Sequence, residues 1–215
     1  MNRRQPSPLP GIALLWLLAT PLDLHAQPET AAPPLPPRPS TLPSETQVGD
    51  LLLGLATPPG GHGHDQPDPG LRPGQPLHLR YPLAVQAQEV DPYGWRYSES
   101  RMAWRLHTGV DLIADAGTPV LAMLPGRVAL VREIDGYGLT VLLDHGRGWQ
   151  SLYAHLLNAG VAVGDRLRAG DPLGQVGQSG RASTPHLHVE LRQRTPAGTM
   201  ALDPTSLLHA AAQQP

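Results

Sequence analysis

From Gln75 onward the chain is a series of short apolar runs, each closed by a glycine-bearing turn. Residues 118–123, 127–132, 139–143, 150–153, 171–176 and 186–192 read as strands, because the runs are short and bounded by turn residues. The turns are Pro125-Gly126, Asp135-Gly136, Gly146-Arg147-Gly148, Ala169-Gly170 and Ser179-Gly180. No long amphipathic helix interrupts them, and residues 204–212 predict a short terminal helix. Strands this close together predict an all-β fold, a single compact antiparallel domain over residues 75–215. In the run His186-Leu187-His188-Val189-Glu190-Leu191-Arg192 the polar residues take one face and the apolar residues the other. Its two histidines then stand roughly 6–7 Å apart at the backbone on a shared face. Glu190 on that face reads more simply as a solvated strand residue than as a partner behind a histidine.

Before Gln75 the pattern is different. Residues 27–74 hold twelve of the 26 prolines, the composition of an extended, solvated linker. Within it Val48, Leu51, Leu52 and Leu55 recur at helical spacing behind Ser44, which suits an N-cap, so a short helix over 44–56 is expected. Gly60-Gly61-His62-Gly63-His64-Asp65 has metal-binding residue types but no framework to hold them, and reads as soluble linker. Arg3 and Arg4, the apolar residues 11–20, and Leu24-His25-Ala26 supply the three parts of a secretory signal over residues 1–26. The apolar part falls short of the ~20 residues that span a bilayer, so no stable membrane insertion is expected after cleavage. The expected location is the periplasm or cell envelope.

Composition narrows the chemistry further. Cysteine is absent, which excludes disulfides and thiolate catalysis. All sixteen basic residues are arginine, so lysine Schiff bases, phosphate-loop lysines and lipoyl or biotinyl attachment are excluded too. The formal charge is −2 and no basic run occurs, so no nucleic-acid partner is expected.

The chemistry-bearing residues fall in separate segments. His107 and Asp111 share the run His-Thr-Gly-Val-Asp, His155 lies in Tyr153-Ala154-His155-Leu156, and His186 and His188 lie in the last strand. Two histidines and a carboxylate from these positions suffice to hold a zinc ion with one position open to water. A fully extended strand would put His107 and Asp111 about 13 Å apart, generous for a shared ion, and Gly109 between them permits a bend that brings both side chains inward. Asp144-His145 directly precedes a Gly-x-Gly turn and reads as turn chemistry. His78 and His209 lie outside every motif.

Taken in order, HTGVDL, GYGLTVLLDHGRGWQSLYAHL, GDRLRAGDPLGQVGQSGRASTPHLHVEL and LDP resemble the lysostaphin-type (LytM-type) zinc metallopeptidases of the bacterial cell wall. The resemblance runs from Tyr81 to Leu208 and includes Tyr93-Gly94-Trp95-Arg96 upstream. It implies a β domain with an open groove, and one Zn2+ held by His107, Asp111 and His188. It also implies His155 and His186 as catalytic proton-handling residues, and peptidoglycan stem peptides as the substrate whose cross-links are cut. Tyr93 and Val189 stand where phenylalanine is usual in the family, a departure that touches no ligand. Two rivals remain. One is a non-cutting cell-wall binding or amidase-activating module of the same fold, with cell-wall enzymes as partners. The other is a carrier-type β domain, suggested by Gly164-Asp165 and Gly170-Asp171 but left without a lysine to modify.

Overall fold

The computed structural model describes residues 78–214. The signal-like segment, the proline-rich stretch, the helix expected over 44–56 and the pair His62 and His64 lie outside the described residues.

Twelve strands and one helix follow in order: β1 (Glu89–Asp91), β2 (Gly94–Ser98), β3 (Ala103–His107), β4 (Val110–Ile113), β5 (Pro119–Leu121), β6 (Gly126–Ile134), β7 (Gly138–Gly146), β8 (Trp149–Ala159), β9 (Arg166–Leu167), β10 (Pro172–Val176), β11 (His186–Thr195), β12 (Gly198–Leu202) and α1 (Thr205–Ala212). Ten strands form one sheet whose main order is β1-β4-β11-β8-β7-β6-β9; β12 pairs with β11, and β10 pairs with both β5 and β8. Strands β2 and β3 form a separate hairpin, and every pairing is antiparallel. The all-β reading is thereby borne out. No helix among the described residues is long and apolar enough to cross a membrane.

Each expected strand forms, with different limits. Strand β8 runs on to Ala159, well past the expected end at Tyr153, because Ala154, His155 and Leu156 stay buried between two neighbours. Strands β1 to β4, β9 and β12 have no counterpart in the expected set. All are five residues or fewer, and only β4 carries more than one buried residue.

The core lies against one side of the sheet. Val110 and Leu112 of β4, Leu187, Val189 and Leu191 of β11, and Val141 and Leu143 of β7 are all at most 1% exposed. Each such side chain contributes roughly 1.5–3 kcal/mol relative to exposure. Helix α1 covers the margin with Leu207, Leu208 and Ala211. Its start is fixed by Asp203, whose Oδ1 accepts from the Thr205 N–H at 2.9 Å and from Thr205 Oγ1 at 2.5 Å.

A second buried polar group belongs to the frame. His145 is 3% exposed, with Nδ1 2.8 Å from Pro125 O and Nε2 2.8 Å from Ser151 Oγ. The Ser151 and Tyr153 hydroxyls lie 3.0 Å apart, and Tyr153 OH accepts the Met123 N–H at 2.8 Å. The sequence reading of Asp144-His145 as turn chemistry thus holds for one residue only. Asp144 Oδ1 accepts the Gly146 N–H at 2.8 Å, whereas His145 points inward and ties β7 to the Pro125-Gly126 turn.

Candidate metal centre

The centre is assembled by strand register. Strand β11 lies between β4 and β8, with His188 opposite Asp111 on one side and opposite Ala154 on the other. Directly opposed residues of an antiparallel pair share a face, so the Asp111 and His188 side chains meet. His107 arrives from the end of β3, with two residues between it and the start of β4.

The link between them is Thr108-Gly109. The expected bend at Gly109 is present, but not because glycine supplies an unusual backbone angle, since Gly109 is not among the residues with positive φ. A Cβ at Gly109 would lie 2.4 Å from Val189 O and 2.8 Å from both Glu190 Cγ and His188 Cε1. Only a residue without a side chain lets β4 press this closely on β11.

Three candidate donor atoms converge. His107 Nε2 lies 3.1 Å from Asp111 Oδ1 and 3.2 Å from His188 Nδ1, and His188 Nδ1 lies 2.6 Å from Asp111 Oδ1. All three fall within 4.8 Å of one another, the spacing of a shared metal ion. Two ligands on a four-coordinate zinc are about 3.3 Å apart, close to the two separations at His107. The remaining nitrogens are turned away: His107 Nδ1 is 2.8 Å from Pro92 O, and His188 Nε2 is 3.0 Å from Glu190 Oε1. A carboxylate oxygen only accepts, so His188 Nε2 carries a hydrogen and Nδ1 is the nitrogen turned inward. His107 Nδ1 meets an acceptor, Pro92 O, and a donor, the Arg96 guanidinium at 2.7 Å, which itself donates to Pro92 O, and Nε2 is the nitrogen turned toward Asp111 and His188. The donor set and its orientation fit a small divalent cation.

Without a metal, electrostatics draws a proton to the same point. Burial works against the Asp111 carboxylate, but hydrogen bonds and charge from His107 and His188 outweigh it and hold the carboxyl well below its usual range. Burial likewise disfavours a charged His188, yet its bonds to Asp111 and Glu190 prevail and raise it to about 9. A proton on Nδ1 thus stands where a cation would.

His155 and His186 complete the group. Their rings lie 4.6 Å apart at the centroids, and His155 is 5.9 Å from His188. His155 Nδ1 donates to Ser179 O and His186 Nδ1 to Thr184 O, each at 2.8 Å, which leaves Nε2 of each ring with its lone pair. His186 Nε2 is 3.8 Å from Asp111 Oδ1. Burial lowers the His155 pKa, opposed by the Ser179 carbonyl and reinforced by the charges of His186 and His188. His155 also occupies a bulge: between Val141↔Tyr153 and Leu139↔Leu156, β8 has one residue more than β7. Its φ is 60°, and its N–H donates to Tyr137 O at 2.8 Å. Bulges of this kind re-aim a side chain that regular pleating would place elsewhere.

All five expected site residues are therefore brought together, and exposed His78 and His209 belong to no such group. Glu190 corrects the sequence reading, because it is fully buried rather than solvated. Burial would raise its carboxyl, but bonds to His188 and Arg192 lower it to about 2. Thr108, Tyr137 and Arg192, which also contact Glu190, went unrecognised. The one usable signal was that Glu190 shares the parity of His188 on β11.

Residues 105–204 match the family model described as Peptidase family M23. The DD-carboxypeptidase/endopeptidase Mpg of Neisseria meningitidis serogroup B is 43% identical over 108 residues, 50% of this chain and 25% of that protein. The murein hydrolase activator EnvC of Escherichia coli K12 is 40% identical over 99 residues, 46% of this chain and 24% of that one. Among solved structures, the catalytic domain of the antimicrobial peptidase lysostaphin from Staphylococcus simulans is similar with a TM-score of 0.51 at 29% identity, covering 56% of this chain and 92% of that domain. The chain spans about a quarter of the length of the curated relatives it matches.

Proposed function

We propose, from the premise that this chain carries a peptidase family M23 domain over residues 105–204, that it is an exported zinc-dependent endopeptidase hydrolysing peptide cross-links of bacterial peptidoglycan. The observation that carries this reading is the convergence of His107 Nε2, Asp111 Oδ1 and His188 Nδ1, with the other nitrogen of each histidine engaged outward.

In this scheme His107, Asp111 and His188 hold one zinc ion. When bound, zinc supplies Lewis-acid polarisation of a peptide carbonyl and lowers the pKa of water toward ~7. The protein supplies proton handling. His155 is neutral at working pH because burial and nearby histidines depress it, so its Nε2 is ready to accept a proton. His186, beside it and also pinned through Nδ1, is placed to hold or return a proton near the leaving nitrogen or to steady charge on the carbonyl oxygen. The substrate class follows from the family and from the name of the Neisseria relative. Export to the periplasm or envelope is the part of the reading supported by the signal-like residues 1–26, with cleavage proposed near Gln27.

A second reading is favoured by the likeness to a murein hydrolase activator: the domain would stimulate an amidase without cutting. The complete donor set argues for cutting, since a purely activating domain needs no convergent ligands. Digestion of purified peptidoglycan separates the two. The endopeptidase reading expects loss of cross-linked muropeptide dimers by the chain alone, with glycan strands unshortened. No digestion alone, but stimulation of an added amidase, would replace it with the activator.

A further inference from the structure

Glu190 lies two residues past the candidate ligand His188 and has no solvent exposure. A carboxylate is tolerated there only if its lone pairs are met by donors. Thr108 Oγ1 donates to Oε1 at 2.6 Å and Tyr137 OH donates to the same oxygen at 2.8 Å. Arg192 Nε donates to Oε2, and its guanidinium lies 5.8 Å from the Tyr137 ring centroid. The remaining donor is His188 Nε2 at 3.0 Å. These partners come from the β3–β4 link, the β6–β7 turn and β11 itself, so three parts of the chain close on one carboxylate.

Glu190 in this state can only accept hydrogen bonds. His188 Nε2 therefore keeps its hydrogen whether the ring is neutral or charged, and Nδ1 is the nitrogen left to face Asp111 and His107. His107 has no carboxylate behind it, since its outward nitrogen meets the Pro92 carbonyl and the Arg96 guanidinium. We propose that Glu190, held by Thr108, Tyr137 and Arg192, is the positioning residue of the metal centre: it selects which His188 nitrogen a metal receives and fixes the plane of the ring. Tyr137 extends this role to the proton-handling side. Its ring meets His188 edge-on with centroids 5.5 Å apart, its hydroxyl serves Glu190, and its carbonyl accepts the His155 N–H. One turn residue thus steadies both the ligand nitrogen and the bulge that aims His155. This inference rests on the metal-centre reading above.

The test is zinc affinity of the full chain, measured by competition with a chromophoric chelator. Thermal unfolding of the metal-free protein and the visible spectrum of the Co2+-loaded protein are recorded beside it. Glu190→Gln keeps the side-chain length but replaces one acceptor oxygen with a donor. It is expected to weaken zinc binding 10–100-fold and to change the Co2+ bands. Thr108→Val and Tyr137→Phe each remove one donor while keeping the carboxylate, and are expected to weaken binding in the same direction by less. If Glu190→Gln fails to fold, these two variants decide. Wild-type affinity and unchanged Co2+ bands in the folded variants, whatever their unfolding temperatures, would overturn the positioning role alone. A wild-type chain that binds neither zinc nor cobalt would instead overturn the metal-centre reading on which it stands.

Discussion

Two buried histidine networks sit in this domain, and they are built to opposite rules. At His145 both ring nitrogens are met by the protein, through the neutral groups Pro125 O on one side and Ser151 Oγ on the other. At His188 one nitrogen is pinned by a buried carboxylate while the other faces Asp111 and His107 across a space suited to a cation. Both rings are at most 5% exposed, so burial does not distinguish them. The distinction is whether the fold turns a ring nitrogen toward a cluster of other donor side chains. His107, His155 and His186 follow the same rule as His188, each with one nitrogen anchored on backbone carbonyl oxygen. A histidine whose two nitrogens both tie strand to turn is a strut, and one that turns a nitrogen into the group of His107, Asp111, His155, His186 and His188 is a tool.

The largest test of that contrast is removal of the converging donors. His107→Ala, Asp111→Ala and His188→Ala are each expected to abolish zinc retention and peptidoglycan cleavage together, measured as metal content and dimer release. Retained zinc in any of them would remove that residue from the donor set. Next in size, His155→Ala and His186→Ala should keep near one equivalent of zinc but turn over about 10²–10⁴-fold more slowly. Zinc loss in His155→Ala as complete as in His188→Ala would merge the two roles separated here.

A third test uses pH. His188 is raised from its ordinary value to about 9 in the metal-free chain, so its proton must leave when a metal enters. Apparent zinc affinity should therefore fall by about tenfold per pH unit below 9 from this group alone. The sign for stability is the reverse. In the metal-free chain the charged His188 stabilises fully below about 6.5, and that contribution is lost as pH rises through 9. Unfolding midpoints of metal-free protein that climb from pH 6.5 to 9 would contradict this assignment. The smallest effect belongs to the strut. Tyr153→Phe, which leaves the buried Met123 N–H without its acceptor, should cost about 1–3 kcal/mol of stability and leave zinc affinity unchanged. A shift in zinc affinity would show that the two networks are coupled.

The parts of this architecture differed in how openly the sequence carried them. Strand β11 was legible because Leu187, Val189 and Leu191 alternate strictly with polar residues, and the donor set because its members fall in short motifs in a recognisable order. The burial of Glu190 was not, because it depends on Tyr137 from a turn 53 residues away. His145 was misread for a similar reason: its neighbours in sequence form a turn, while its partners Pro125 and Ser151 come from elsewhere. The bend at Gly109 was legible, but not the closeness of Val189 O, which is visible only once β4 and β11 are paired. The bulge at His155 left no mark, because a histidine fills a position where glycine would have signalled it.

That last position has a consequence for engineering. A left-handed backbone costs a residue with a Cβ about 1–2 kcal/mol, and glycine escapes the penalty. In a regular strand alanine is more stable than glycine, but at position 155 the order should invert, with His155→Gly unfolding at a higher temperature than His155→Ala. A search for thermostable variants that reads only unfolding temperature would see a reason to exchange His155 for glycine, and would thereby discard the residue this domain strains its backbone to present.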